Sequence, residues 1–102
     1  MDAENSEQIL FKSTAENSLF FIGDAEDPDA YLSFTHRNGN MIAAEHTVVS
    51  ESLRGKGIAR KLALKLMEYA RENDLKIIPI CSYVVGFFDK NNEFVDVLAE
   101  NH

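Results

Sequence analysis

The sequence is poor in the residues that build covalently or metal-stabilised domains. Cys81 is the only cysteine among 102 residues, so no disulfide can form within the chain. Three histidines and this cysteine show no zinc-ligand spacing, and we therefore expect no metal. No apolar run approaches the roughly 20 residues that a transmembrane helix needs, so we expect no membrane partner.

The amino terminus also lacks the apolar segment of a secretory signal, because residues 1–5 are acidic and form no apolar run. We therefore expect a cytoplasmic protein. A hydrophobic fraction of 45% and a charged fraction of 26% are those of an ordinary globular chain. The length predicts a single domain, residues 1–102, and we expect it to be a monomer.

Basic residues are scarce in the first half of the chain. Residues 1–50 carry nine acids against Lys12 and Arg37, a charge of −7, whereas residues 51–102 carry eight of each sign. The acidic half would repel phosphates, so we expect no nucleic-acid partner. The acidity serves solubility, or attracts a cationic substrate such as an amine.

Short apolar runs separated by turn residues predict an antiparallel meander in the first half. Strands are expected at residues 9–12, 19–22, 31–35 and 41–49, with a loop over residues 24–29. A tight turn at residues 38–40, which read Asn-Gly-Asn, joins the last two strands.

In the second half of the chain, the spacing of the apolar residues changes to that of a helix. Ile58, Leu62 and Leu66 recur on one helix face, which predicts a helix over about residues 57–72. An apolar strand at residues 76–80 follows, with helical turns at 84–89 and 94–98. A strand, a helix and a second strand form a right-handed crossover with parallel strands. The fold class is therefore α/β (α+β): an antiparallel meander that leads into a βαβ crossover.

The loop before the predicted helix has the composition of an anion site. Gly55 and Gly57 allow a tight turn and close approach to a ligand, and the unpaired amides of the helix point outward. No acid lies between Ser52 and Met67. Cations here oppose the helix dipole by roughly 0.3–1 kcal/mol each, a conflict that a bound phosphate would relieve. These cations are Arg54, Lys56, Arg60, Lys61 and Lys65.

The hexapeptide Arg54-Gly55-Lys56-Gly57-Ile58-Ala59 matches the Arg/Gln-x-x-Gly-x-Gly/Ala pattern of the GCN5-related N-acetyltransferases. Together with residues 45–49 and 78–83, it resembles a small, single-domain, acetyltransferase-like subfamily of that superfamily. The resemblance implies a sheet whose two crossover strands splay apart to admit a cofactor. Pro79 fits a strand that loses its neighbour there, because proline cannot donate to a sheet.

The resemblance implies acetyl-CoA as co-substrate and acetyl transfer to a small-molecule or protein amine. It also implies that the pantetheine arm pairs with the strand end at Val48 and Val49. The pyrophosphate of coenzyme A is then expected on the loop and the helix start, which comprise Arg54, Gly55, Lys56, Gly57, Ile58 and Ala59.

Cys81 and His46 are the catalytic candidates, since both fall at the edge where α/β sheets bind small ligands. An imidazole lowers the pKa of a neighbouring thiol, so the pair would support a ping-pong acetyl-enzyme. In the other interpretation they act as acid and base. The structural alternatives are a packed cysteine and an ordinary strand histidine. Many members of the superfamily use a tyrosine after this strand to protonate the departing thiolate, but Tyr83 is expected to pack instead.

Two rival functions remain open. The chain lacks the helices that larger members of the superfamily place between their first two strands, which favours a non-catalytic CoA-binding or interaction module. The second rival is a Cys/His thioesterase acting on acyl-CoA. His36 and His102 are expected to be ordinary surface residues.

Overall fold

The computed structural model describes residues 8–99, which form a five-stranded sheet and two α-helices. The 3₁₀ segments Glu51–Leu53 and Asn92–Val97 precede α1 and follow α2. The expectation for His102 falls outside the described residues. In chain order the elements are β1 (Leu10–Ser13), β2 (Ser18–Asp24), β3 (Asp27–His36), β4 (Met41–Val49), α1 (Ile58–Glu72), β5 (Lys76–Pro79) and α2 (Ser82–Lys90).

The strands lie in the order of the sequence, β1-β2-β3-β4-β5. The first four are antiparallel neighbours, and β5 runs parallel to β4 after the α1 crossover. The turn before β4 is tight, with Gly39 at φ 65° and the Arg37 amide donating to the Met41 carbonyl over 2.8 Å. The predicted meander, crossover and α+β class are therefore confirmed.

The predicted loop over residues 24–29 is wrong, because β2 and β3 stay paired as far as Asp24 and Asp27. A register shift after Ile22, with Gly23 at φ 97°, adjusts the hairpin there. Pro28 is tolerated in a strand because β3 begins to pair with β4 only at Ala30. At Pro28, β3 therefore has no β4 neighbour that would need the missing amide.

The core lies between α1 and one face of the sheet. Leu32 of β3 and Leu62 and Leu66 of α1 are fully buried in it, as the predicted helical stripe requires. Burial of each such side chain stabilises the fold by roughly 1.5–3 kcal/mol. The opposite face carries Phe21, Tyr31 and Val48, which are neighbours in register. We call the first the helix face and the second the helix-free face.

The C-terminal segment packs back onto α1 and β5. Leu98 forms a parallel bridge with Ile77, and the Ala99 amide donates to the Ile77 carbonyl over 2.9 Å. Arg71 of α1 binds the side chain of Asp96 in the same segment. No helix within residues 8–99 is long and apolar enough to cross a membrane.

Candidate functional site

The two parallel strands separate halfway along β4. Their pairing ends at Ala44 and Pro79, whereas β4 continues to Val49. The amides of Ile80 and Cys81 both donate to the Ala44 carbonyl, over 3.1 and 3.0 Å, as the chain turns away into α2. We call the gap beside residues 45–49 of β4 the β4–β5 slot. Pro79 stands at its base, as the sequence predicted.

The backbone of β4 offers hydrogen-bonding groups to this slot at alternate residues. The Ser50 amide donates to the Asp29 carbonyl over 2.8 Å, so Ser50 faces β3. Alternation along the strand then turns the amides and carbonyls of Thr47 and Val49 toward the slot. The Val49 carbonyl accepts a 3.2 Å hydrogen bond from Arg54 Nε. Val48 instead turns its backbone toward β3 and exposes 46% of its surface.

The loop of the hexapeptide forms an uncapped helix start beside the slot. Gly57 is the N-cap of α1 at φ 71°, and no side chain caps the helix. Gly55 also has a positive φ of 83°, and a Cβ at either glycine would meet no atom within 4 Å. The first turn of α1 contains no acid, so none of its own carboxylates competes for the free amides at the positive end of the helix dipole. The arrangement fits a bound phosphate.

A cavity of about 200 Å³ connects the end of β4 with this helix start. Lys56 is exposed in the loop and lies outside this lining. We call the cavity the cradle. Its walls are Val49, Leu53, Arg54, Gly55, Gly57, Ile58, Ala59, Arg60 and Tyr83.

A β-bulge decides where the residues after Ala44 point. Phe34 and Leu32 of β3 are two residues apart, but their partners Ala44 and Thr47 are three apart. The extra residue moves His46 to the helix-free face and puts Thr47 on the helix face. His46 is exposed there.

Ion pairing holds the bulge residue Glu45 on the helix-free face. Its Oε2 accepts hydrogen bonds from Arg37 Nη2 over 2.9 Å and from Thr35 Oγ1 over 3.1 Å. The side chain beside His46 is thus fixed in place.

The structure brings Cys81 to Thr47 and not to His46. Cys81 is half-buried at the N-cap of α2, and its thiol donates to Thr47 Oγ1 over 3.3 Å. Within residues 8–99, no hydrogen bond joins Cys81 to His46, and no group of three or more His, Cys, Asp or Glu could hold a metal ion. The two candidates flank the slot from opposite faces, and their catalytic roles stay predictions.

Tyr83 and Arg60 both line the cradle. Tyr83 was expected to pack, but 37% of its surface is exposed and it lines the cradle. Burial of the rest of the ring raises the pKa of its phenol, against a smaller lowering by the charge of Arg60. The phenol is therefore protonated at neutral pH. Its position two residues after Cys81 was the available signal.

Comparisons with known proteins agree with this geometry. A sequence model of the GCN5-related N-acetyl-transferase family matches residues 19–97. Protein NATD1 of Xenopus tropicalis is 32% identical over 62 residues, which cover 61% of this chain and 57% of that protein. The NATD1 of Danio rerio is 34% identical over 62 residues, with 61% and 56% covered. The chain thus spans less than two thirds of these relatives.

Solved structures show the same fold over more of the chain. A solution structure of a GCN5-like protein from Staphylococcus aureus is 34% identical, with a TM-score of 0.71, and the match covers 95% of this chain and 94% of that one. AAC(6')-Iy, solved with the bisubstrate analogue CoA-S-monomethyl-acetylneamine, shares the fold at 13% identity and a TM-score of 0.50, over 87% and 66% of the two chains. By its sequence, its fold and its glycine loop, the chain belongs to the GCN5-related N-acetyltransferase family.

Proposed function

We propose that this protein is an N-acetyltransferase that takes the acetyl group of acetyl-CoA and passes it to an amine on a small molecule or a protein. The observation that carries the proposal is the meeting of the β4–β5 slot with the uncapped start of α1. The cradle joins them, because Val49 of β4 and Gly57 of the loop line the same cavity.

The chain's own groups fit the phosphate end of the cofactor. The amides from Gly55 to Ala59 bind the pyrophosphate, with the dipole of α1 behind them. Arg54 holds the loop to β4 through Val49 and adds a positive charge beside the phosphates. Glycine is needed at both positive-φ positions, because a side chain there would be strained and would fill the cradle.

The pantetheine arm lies along the open edge of β4. Val49 and Thr47 turn backbone groups toward the slot, and a pantetheine amide can pair with them like an added strand. The exposed side chain of Val48 then covers the arm's helix-free side. Acetyl-CoA supplies an acetyl group activated as a thioester.

His46 is the base in this proposal. The amine nitrogen attacks the thioester carbonyl carbon, and His46 accepts the proton that the nitrogen loses. His46 is exposed on the helix-free face, where an acceptor can approach it, and the buried side chains of α1 and α2 belong to the core on the opposite face. General-base catalysis of this kind contributes about 10²–10⁴-fold.

The leaving sulfur takes its proton from the helix side of the slot. As the carbon–sulfur bond breaks, the thiolate of coenzyme A is protonated by Cys81 or Tyr83. Cys81 holds a thiol proton against Thr47 Oγ1, and the raised pKa of Tyr83 keeps its phenol protonated. Direct transfer is favoured over an acetyl-enzyme because the thiol has a hydroxyl partner in place of an imidazole.

Release of coenzyme A from acetyl-CoA tests the proposal. The protein is assayed with a thiol reagent in the absence and in the presence of a panel of primary amines, from spermidine to a lysine-containing peptide. Release that depends on an amine is the expected result. Release at the same rate without an amine would establish the thioesterase instead. Binding of acetyl-CoA without release under any condition would establish the non-catalytic module.

A further inference from the structure

The bulge in β4 gathers three polar side chains around one point of the helix-free face. Glu45 and His46 together stand opposite Ser33 of β3, because the register passes directly from the Phe34–Ala44 pair to the Ser33–His46 pair. Residues that face one another on antiparallel strands have Cβ atoms about 4.5–5.5 Å apart. One small group can therefore reach all three side chains. We call Ser33, Glu45 and His46 the bulge cluster.

Ser33 is buried, and its side chain has no hydrogen-bond partner. Its neighbours Leu32 and Phe34 both belong to the core, so the Ser33 side chain points to the helix-free face. Only 8% of Ser33 is exposed. Within residues 8–99 its hydroxyl takes part in no hydrogen bond, whereas Ser18, which is also buried, is bonded to Ser13 Oγ over 2.8 Å. Because buried hydroxyls are normally satisfied, Ser33 indicates a ligand that bonds to it.

One carboxylate oxygen of Glu45 is also available. Arg37 and Thr35 both donate to Oε2, and within residues 8–99 no group donates to Oε1. A carboxylate offers about four lone-pair sites on its two oxygens. His46, exposed beside Glu45, forms no side-chain hydrogen bond in the described part of the chain. The bulge cluster thus presents acceptors that await donors.

Three acceptors around one point match a primary ammonium group. An alkyl amine is protonated at neutral pH, because its pKa lies near that of lysine, about 10.4, and it then carries three N–H donors and no acceptor. Glu45 Oε1, Ser33 Oγ and one nitrogen of neutral His46 would accept one hydrogen bond each. The charge of −7 on residues 1–50 adds a general attraction for cations.

The surroundings of the cluster suit an alkyl chain and disfavour a carboxylate. Leu19 of β2 lies opposite Ser33, and Tyr31 precedes Ser33 by two residues on the same face. Both side chains are half-buried and give methylene groups an apolar surface. Arg37, the cation beside the cluster, is already paired with Glu45. A carboxylate next to the amine would therefore meet the charge of Glu45 without a cation to bind it.

We propose that the bulge cluster binds the ammonium group of the acceptor, and that this acceptor is an alkyl amine with no carboxylate on the carbon that bears the nitrogen. The inference rests on the proposed function, because the β4–β5 slot that would take the thioester runs beside residues 45–49 of the same strand. Ser33 and Glu45 are then substrate-binding residues that set the specificity. A free alkyl amine and the side chain of a protein lysine share this chemistry.

Acetylation kinetics with two matched amines test the inference. Pentylamine and norleucine differ only by a carboxylate beside the nitrogen, and kcat/KM should be about ten- to 100-fold higher for pentylamine. Glu45→Gln should raise the KM for pentylamine by a similar factor, narrow the preference and leave the KM for acetyl-CoA unchanged. A lysine-containing peptide with a lower KM than pentylamine would identify protein lysine as the source, and a higher KM would identify a free amine. Equal kcat/KM for pentylamine and norleucine would overturn the inference.

Arg37→Gln is the matched control for Glu45→Gln. It breaks the same ion pair but keeps the carboxylate, which Thr35 still holds, so the KM for pentylamine should not rise. An equal rise in both variants would show that the ion pair acts only on the structure, and the inference would be wrong.

Ser33→Ala gives an independent check. It should raise the KM for pentylamine by about three- to tenfold, the effect of one uncharged hydrogen bond. The melting temperature should not fall, because the substitution removes a buried hydroxyl that has no partner. A lower melting temperature with an unchanged KM would mean that Ser33 serves the fold and not the acceptor.

A binding measurement separates this inference from the function on which it rests. Pentylamine, added to the ¹⁵N-labelled protein with coenzyme A present, should shift the amides of Ser33 and His46, and Glu45→Gln should reduce these shifts. If the shifts occur but no amine is acetylated, the ammonium site is supported and the transferase proposal is wrong. If amines are acetylated and neither Glu45→Gln nor Ser33→Ala changes the KM, the site is wrong and the transferase proposal stands. Neither shifts nor acetylation would contradict both.

Discussion

The thiol of Cys81 lies 3.3 Å from the hydroxyl oxygen of Thr47, and this contact replaces a contact with His46. Regular alternation after Ala44 would have put residue 46 on the helix face, on the same side as the thiol. The bulge at Glu45 adds one residue and brings Thr47 there instead. Within residues 8–99 the thiol thus has a hydroxyl and no imidazole as its hydrogen-bond partner. The geometry therefore favours direct attack by the amine.

Substitutions of the two candidates distinguish direct attack from an acetyl-enzyme. His46→Gln should lower kcat/KM by about 10²–10⁴-fold, because it removes the base. Cys81→Ala should lower kcat by at most about 100-fold, since the thiol serves only as one of two proton donors. His36→Gln, an exposed histidine at the end of β3, is the control and should have no effect. Steady-state kinetics measure all three.

Mass spectrometry of the intact protein checks the same point without an acceptor. After incubation with acetyl-CoA alone, we expect the unmodified mass. An acetyl adduct on Cys81 that an added amine discharges would contradict direct attack and establish the ping-pong route.

Gly57→Glu should abolish binding of coenzyme A while the fold is retained. The substitution places a carboxylate where the phosphates bind, and the loss of several charge-assisted hydrogen bonds should weaken binding by about 100-fold or more. Gly39→Glu is a matched control, because Gly39 also has a positive φ, of 65°, and also has no atom within 4 Å of a built Cβ. Both variants carry the same backbone strain, but only Gly57→Glu should lose binding in calorimetry. Equal loss in both would mean that strain, and not charge, is responsible.

The Arg71–Asp96 pair should make stability depend on acidic pH. Arg71 Nε and Nη2 donate to the two carboxylate oxygens over 2.9 and 2.8 Å, and these hydrogen bonds lower the pKa of Asp96 below its usual value. A lowered folded-state pKa gives stability that is fully present above the unfolded pKa of about 3.9 and is lost as the pH falls through the folded value.

Thermal unfolding of the Asp96→Asn variant tests the direction of this pH dependence. The variant should melt at a lower temperature than the parent at pH 7, by a small amount because the pair is exposed. The difference should disappear in acid, where Asp96 of the parent is also neutral. Glu16→Gln, at an exposed residue of the turn between β1 and β2, is the control. A difference that stays constant with pH would show that the substitution acts through packing alone.

The sequence predicted the crossover well because its signals are local. Leu62 and Leu66 mark the buried face of α1, Gly57 marks the helix start, and Pro79 marks the last residue of β5. The leucines follow the helical period of 3.6 residues, the glycine supplies a positive φ, and the proline lacks an amide. None of these signals depends on which residues pack nearby in the folded chain.

The details that the sequence could not predict depend on pairing between strands. The loop expected at residues 24–29 is a paired hairpin of β2 and β3. Pro28 is tolerated in it because β3 has no β4 neighbour at that residue. The direction of His46 depends on a bulge, and one inserted residue reverses every side chain after it. Tyr83 was expected to pack, because its position two residues after Cys81 does not by itself reveal that the slot and the cradle leave it half open.

The central claim is that coenzyme A occupies the cradle and the edge of β4, and amide chemical shifts test it most directly. A titration of the ¹⁵N-labelled protein with coenzyme A, followed by two-dimensional NMR, reports on every amide at once. The account predicts that the largest shifts fall on Thr47 and Val49 of β4 and on Gly55, Gly57 and Ala59 at the start of α1. Largest shifts on the helix-free face around Phe21 and Tyr31, or no shifts at millimolar ligand, would contradict it.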